Sequence, residues 1–131
     1  MSITGGRHAF LAKYNASAIV NNSGEVRIRS LNVELFSNGG SAFDLSGPVM
    51  DRALFHVDGP YYWPDFHAVG VPCKTVQPPH TAFRGFGGPQ GMYNVEMSMH
   101  LDVVFPFAFF LNVSPGLFIL LHVRMCRSSN M

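Results

Sequence analysis

The chain has 131 residues, which is enough for about one domain. Nine Lys and Arg against eight Asp and Glu leave a formal net charge of +1, so neither a basic nucleic-acid footprint nor an acidic tail is indicated. The 47% apolar content argues against disorder, and two cysteines, Cys73 and Cys126, are too few for a disulfide-rich secreted scaffold. The N-terminal residues lack the apolar core of a signal peptide, which predicts a cytoplasmic protein.

Two strands are predicted near the start of the chain, over residues 10–20 and 25–36. The Asn-Asn-Ser-Gly segment between them carries residues that tolerate positive φ, which indicates a hairpin. In the second strand the apolar alternation slips by one position near Ser30, which predicts a β-bulge. The Ser-Asn-Gly-Gly-Ser segment at 37–41 predicts a loop.

A helix is predicted from the Ser-Gly-Pro at 46–48 to the Asp-Gly-Pro at 58–60. Its apolar residues recur at helical spacing and form one stripe: Val49, Met50, Ala53, Leu54 and Val57. Arg52 lies about 130° from the centre of that stripe. By itself, this position indicates a solvent-facing arginine.

Beyond this helix the sequence predicts an aromatic cluster at 61–66, then short strands at 67–71 and 73–76 that are separated by Pro72. A glycine-rich loop, TAFRGFGGPQ at 81–90, leads into a helix predicted from Pro89 toward Met99. The predicted fold class is therefore α+β: a β-hairpin, a helix, short strands, a glycine-rich loop and a second helix.

The glycine-rich loop carries the densest chemical signal. Three glycines in four positions, at 85, 87 and 88, let the backbone approach a ligand closely. Successive N–H groups before a helix can bind an anion, and Phe83 and Phe86 flank Arg84 as flat apolar walls for a planar ring. No Lys-Ser/Thr pair follows, so the loop is not a nucleotide P-loop. The histidines and cysteines show no metal-ligand spacing.

The stretch from residue 103 to residue 121 contains no charged residue. A buried helix or a pair of strands explains it most simply, and a membrane span is the alternative because ~20 apolar residues cross a bilayer. Pro106, Asn112, Pro115 and Gly116 interrupt the stretch and argue against a continuous helix.

Three blocks resemble the molybdenum-binding part of the xanthine dehydrogenase/aldehyde oxidase family: TGGRH at 4–8 with FLAKY at 10–14, MDRALFH at 50–56, and CKT at 73–75 with residues 81–92. They occur in the family's order across residues 3–96. The resemblance implies a partial molybdopterin-binding domain at residues 1–97 and a divergent apolar tail at residues 98–131 outside the family fold. A mis-joined or non-coding origin is our first hypothesis for this tail, ahead of a membrane span.

The resemblance also implies a chemistry. In this family a molybdopterin-bound molybdenum centre hydroxylates a purine carbon with oxygen from water, and electrons leave through iron–sulfur clusters and FAD to NAD. By resemblance, Arg52 and Phe86 bind the purine: Arg52 stabilises developing negative charge and Phe86 stacks on the ring. By the same resemblance, the cofactor-binding residues are Arg84, Phe83 and Gly85, and the main chain of Arg84 lies near the molybdenum. An arginine at position 52 favours purines over aldehydes.

The catalytic set is incomplete by the same resemblance. The family's active-site glutamates, including the general base, lie outside the matched blocks, as do its iron–sulfur and flavin domains. We therefore expect a fragment that is inactive alone, from a family that is homodimeric and cytoplasmic or also peroxisomal. One alternative is a non-catalytic product that associates with membranes through residues 103–121. A small purine or pterin binder is least favoured, because ordering a half-site loop costs entropy. Open strand edges predict poor solubility.

Overall fold

A mixed five-stranded sheet and two helices make up the part of the chain that the computed structural model describes, residues 6–20, 26–104, 110–112 and 118–127. The strands are β1 (Phe10–Val20), β2 (Val26–Gly40), β3 (Asp65–Lys74), β4 (Phe110–Asn112) and β5 (Phe118–Arg127), and the helices are α1 (Ser46–Leu54) and α2 (Gly88–Val104). The strand order is β3-β2-β1-β5-β4. The β1/β2 and β4/β5 pairs are antiparallel, whereas β1/β5 and β2/β3 are parallel. The α+β prediction is confirmed.

The predicted hairpin is present as the antiparallel β1/β2 pair, although its link at residues 21–24 lies outside the described residues. Ser17 pairs with Ser30, but Ala18 pairs with Ile28, so Arg29 is an extra residue in β2. This is the β-bulge that the slipped alternation near Ser30 predicts. The two serine hydroxyls are 2.6 Å apart and hydrogen-bond across the strands beside it.

Two predictions in the connecting segments are wrong. Strand β2 continues to Gly40, through most of the predicted loop at 37–41. The reason is that this segment pairs with β1 or β3. In addition, the Asn38 carboxamide accepts a hydrogen bond from the Thr75 hydroxyl at 2.7 Å. The two short strands predicted around Pro72 are one strand, β3. In the described part of the sheet β3 pairs only with β2, so a proline without an N–H fits on its open side.

Helix α1 is shorter than predicted but buries the predicted stripe. It ends at Leu54, and turns continue to Pro60 in place of the last predicted helical turn. Val49, Met50, Ala53 and Val57 are buried and Leu54 is half-buried. Arg52 is exposed, as its angular position predicts. As the basic residue in the last turn of α1, it also complements the helix dipole.

The core lies between the helices and one face of the sheet. Alternate residues of the central strands face it: Phe10, Ala12, Tyr14 and Ala16 from β1, and Leu31, Val33 and Leu35 from β2. The opposite face carries exposed polar residues, among them the Lys13–Glu34 pair at 3.4 Å. The predicted aromatic cluster is partly formed, since Trp63 packs edge-on to Tyr61 and against the core while Tyr62 is exposed.

The glycine-rich loop contacts α1 through Gly87, which is buried at a φ of 93°. A Cβ at this position would overlap the Val49 carbonyl oxygen and lie 3.1 Å from the Ala53 nitrogen. Only a residue without a side chain lets the loop backbone rest on the helix backbone here. This contact fixes the loop relative to the turn of α1 that contains Arg52.

The apolar stretch at 103–121 is only partly described. Residues 110–112 and 118–121 are strand and residues 103–104 end α2, while residues 105–109 and 113–117 lie outside the described residues. Within the described ranges, no helix is both long and apolar enough to cross a membrane. Helix α2 passes residue 97 without a break, and the division into a family domain at 1–97 and a divergent tail at 98–131 stays a prediction.

A pair of glycine-to-alanine substitutions tests the contact between the loop and α1. We expect Gly87→Ala to lower the free energy of unfolding by about 2 kcal/mol, because a Cβ at positive φ also collides with backbone. Gly47→Ala is the matched control, because nothing lies within 4 Å of the Cβ position of Gly47 in α1. We expect this substitution to raise the free energy of unfolding by about 0.5 kcal/mol. Urea unfolding measures both, and equal effects of the two variants would contradict the contact.

Candidate cofactor and substrate site

Two overlapping turns shape the loop between Phe83 and Gly88. In the first, the Phe86 N–H donates to the Phe83 carbonyl at 2.7 Å, with Gly85 at a φ of 95°, the positive value that a type II turn requires at its third position. In the second, the Gly88 N–H donates to the Gly85 carbonyl at 2.9 Å. Its central residues, Phe86 and Gly87, both have positive φ, as in a type I′ turn.

Phe86 is the unusual member of this loop, because its φ of 51° is rarely adopted by bulky residues. Its ring is half-buried and packs against the hydrophobic core, and its neighbours Gly85 and Gly87 take the other positive φ values of the two turns. Backbone outliers of this kind cluster at functional sites, where the surrounding packing holds them.

The loop exposes backbone donors. Arg84 and Gly85 are both exposed, and within the described residues no backbone or side-chain acceptor takes up their N–H groups. Gly88 begins α2, so these donors lie just before a helix N-terminus. Free N–H groups in a turn with positive φ, followed by a helix, make a site that favours an anion.

Arg52 is brought close to the loop through the backbone of α1. Gly87 lies against Val49 and Ala53, one turn of α1 apart, and Arg52 immediately precedes Ala53 in that turn. His56 completes the connection: its Nδ1 lies 2.9 Å from the Arg52 carbonyl oxygen, and its ring lies 3.6 Å from the Cβ position of Gly88. The sequence predicts no role for His56.

A polar cluster holds the other end of the loop: His8 and Ser46 are buried, His80 and Thr81 are half-buried, and Asp44 is exposed. The Nε2 of His8 is 2.7 Å from the Ser46 hydroxyl at the start of α1, and the His8 and His80 ring centroids are 5.7 Å apart. The Thr81 hydroxyl donates to the Asp44 carboxylate at 2.9 Å. The chain immediately before Phe83 is thus tied to α1.

Burial lowers the pKa of His8 below the ordinary histidine value, and the neighbouring His80 lowers it further, whereas Asp44 acts in the opposite direction. His8 is only 3% exposed. The folded protein therefore favours neutral His8, and protonation at low pH opposes folding of this cluster.

The structure gives the predicted site residues different neighbours. Phe83 lies under the guanidinium of Arg7, whose Cζ is 5.2 Å from the ring centroid, whereas Phe86 faces the core. Arg84 and Gly85 form the exposed tip between them. The roles of Arg52, Phe86, Arg84, Phe83 and Gly85 toward ligands stay predictions. A shallow depression on the outer sheet face, beside Lys13 and His67, contains none of these residues.

Sequence reasoning missed Arg7 as part of the site. Its guanidinium Nη2 donates to the Arg84 carbonyl oxygen at 3.1 Å. The signal for it is the Gly-Gly-Arg-His block, in which Arg7 precedes the buried His8. The described residues contain no group of three or more His, Cys, Asp or Glu side chains that could hold a metal ion.

Comparison with known sequences identifies the class of domain to which this fold and loop belong. Residues 1–101 match the family model of the molybdopterin cofactor-binding domain. The chain belongs to this family. The match ends close to the predicted boundary of the apolar tail.

Its relatives include xanthine dehydrogenases. The chain is 50% identical over 99 residues to the xanthine dehydrogenase/oxidase of Rattus norvegicus and to that of Gallus gallus, covering 76% of this chain. It is 49% identical over 96 residues to xanthine dehydrogenase 1 of Arabidopsis thaliana. The matched part spans 7% of the length of each of these relatives. The predicted resemblance is confirmed.

The pKa of His8 leads to a pH prediction. Because its folded-state pKa is lowered, its contribution to stability is complete above pH about 6.5, the unfolded value, and is lost as the pH falls further. We expect the free energy of unfolding of His8→Gln to change less between pH 7 and pH 5 than that of the unmodified chain. His67→Gln, at an exposed position of β3, is the control and should retain the original slope. Parallel profiles for the chain and His8→Gln would contradict this assignment.

Proposed function

We propose that this chain forms part of the cofactor and substrate site of a molybdenum hydroxylase of the xanthine dehydrogenase type. The reaction is hydroxylation of purines such as hypoxanthine or xanthine, with oxygen from water and electrons passed through iron–sulfur clusters and FAD to NAD. The observation that carries the proposal is the seating of Gly87 on α1, which sets the exposed loop donors beside the turn that contains Arg52.

The loop residues fit the molybdopterin cofactor by their donor chemistry. The N–H groups of Arg84 and Gly85 are free of partners among the described residues and suit an anionic group, and Phe83 offers an aromatic edge beside them. When bound, the molybdenum centre supplies the redox chemistry of oxygen insertion. The chain's own part is to hold that group through backbone donors and to keep Phe86 fixed next to α1.

Arg52 suits a substrate whose negative charge grows during reaction. It is exposed and lies in the last turn of α1, immediately before Ala53, one of the two residues that Gly87 contacts. A guanidinium in this place stabilises developing anionic charge on a purine more than it stabilises the neutral ring. Phe86, held by its turn and by the core, would stack on the purine face.

In this proposal the chain is one part of a larger enzyme. The chain does not turn over substrate alone, since no general-base glutamate falls within the matched blocks, and the complete protein is homodimeric and cytoplasmic. The competing proposal is a non-catalytic product that associates with membranes through residues 103–121. In that case the loop is only inherited scaffold, and its free backbone donors bind no cofactor.

Binding of metal-free molybdopterin to the full chain tests the cofactor part. We expect saturable binding in equilibrium dialysis, and Gly85→Ala should weaken it at least tenfold, because a Cβ there would lie 2.6 Å from Pro89 and strain a φ of 95°. Gly47→Ala is the control and should bind like the unmodified chain. No binding by a folded chain, together with recovery in a membrane fraction, would favour the competing proposal.

Xanthine binding to the molybdopterin-loaded chain tests the substrate part. We expect Arg52→Gln to weaken xanthine binding about tenfold, the loss of one charge-assisted hydrogen bond, and to leave molybdopterin binding unchanged. Arg29→Gln, at an exposed position of β2, should change neither affinity. Equal xanthine affinities for Arg52→Gln and Arg29→Gln, measured by calorimetry, would remove Arg52 from the substrate site.

A further inference from the structure

Arg7 contacts the first turn of the glycine-rich loop at two consecutive residues. Its Nη2 donates to the Arg84 carbonyl oxygen at 3.1 Å, and its Cζ lies 5.2 Å from the centre of the Phe83 ring. These are the first two positions of the turn that the Phe86 N–H closes. The planar guanidinium suits both contacts, because it can donate in its plane and stack through its face.

The carbonyl that Arg7 holds belongs to the central peptide of this turn. Type I and type II turns differ mainly by a rotation of that peptide of roughly half a turn. In a trans peptide the C=O and N–H point in opposite directions. By fixing the Arg84 carbonyl, Arg7 therefore also fixes the direction of the Gly85 N–H, one of the exposed donors of the loop.

Arg7 is well placed to act as an anchor because its own segment is held on both sides. The Gly6 carbonyl accepts from the Thr81 N–H at 3.0 Å, and His8 is buried against the Ser46 hydroxyl. Among the described residues, no carboxylate forms an ion pair with Arg7. Its interactions are directed to a neutral carbonyl and a ring of the loop, so its function is not that of a salt bridge between surface segments.

We propose that Arg7 is a positioning residue, which holds the Arg84–Gly85 peptide in the orientation that presents the Gly85 N–H to the cofactor. This inference rests on the proposed function for the ligand, but its structural half is independent of any ligand. Losing the guanidinium frees the central peptide to rotate, so the loop samples turns in which the donor faces away.

Residual dipolar couplings of the ¹⁵N-labelled full chain, measured by NMR without ligand, test the structural half, because they report the direction of each N–H bond. We expect Arg7→Gln to reduce the Gly85 coupling about twofold, because a peptide that rotates between the two turn types averages this direction. Arg7→Lys keeps a cation over Phe83 without the planar fork and should give an intermediate coupling. Arg29→Gln is the control, and β1 couplings should stay the same in every variant as evidence of an intact fold. An unchanged Gly85 coupling in Arg7→Gln overturns the inference.

Molybdopterin dialysis with the same variants tests the ligand half. We expect Arg7→Gln to weaken binding about tenfold and Arg7→Lys to recover part of it. If the unmodified chain binds no molybdopterin while the Gly85 dipolar coupling responds to Arg7→Gln as expected, the proposed function fails and Arg7 stands as the anchor of the turn. If the unmodified chain binds and Arg7→Gln binds equally well, the inference is overturned and the proposed function stands.

Discussion

The backbone contact between Gly87 and helix α1 determines where the candidate site lies. Because no side chain separates them, the loop rests directly on the Val49 carbonyl and the Ala53 nitrogen, with Arg52 between these two residues in the helix. The loop reaches this position through a run of positive φ angles that includes Phe86 at 51°. The strain at Phe86 is thus the local cost of placing the loop on α1.

The rest of the fold keeps that contact in place. The sheet provides the platform for α1, whose buried stripe packs against β3 and β2. The cluster around His8 ties the chain before the loop to the start of α1, and Arg7 holds the tip. The loop is therefore fixed at its beginning, its tip and its end, and this suits a binding element built on backbone donors, which cannot adjust as long side chains can.

Local patterns predict the parts of this fold that local physics controls. The turn residues between two apolar runs predict the hairpin, slipped alternation near Ser30 predicts the bulge that the structure places at Arg29, and helical spacing predicts the buried face of α1. The extension of β2 to Gly40 and the continuity of β3 through Pro72 depend on pairing between distant strands, which local composition does not show.

The candidate site is likewise predictable from the sequence only in part. The glycine-rich loop is visible in the sequence as an anion-binding pattern, but its neighbours are not. Arg7 meets Arg84 across 77 positions of the chain, and no spacing rule links them. The assignment of Arg52 came from family resemblance, because its exposed angular position on α1 suits an ordinary surface arginine equally well.

The central claim is that the N–H groups of Arg84 and Gly85 bind the cofactor. Amide chemical shifts of the ¹⁵N-labelled full chain, titrated with molybdopterin, test it most directly. The account predicts that the largest shifts occur at Arg84 and Gly85, move downfield as hydrogen bonds form, and saturate together, while β3 amides stay in place. Saturable shifts confined to the outer sheet face, with the loop amides unmoved, would contradict it.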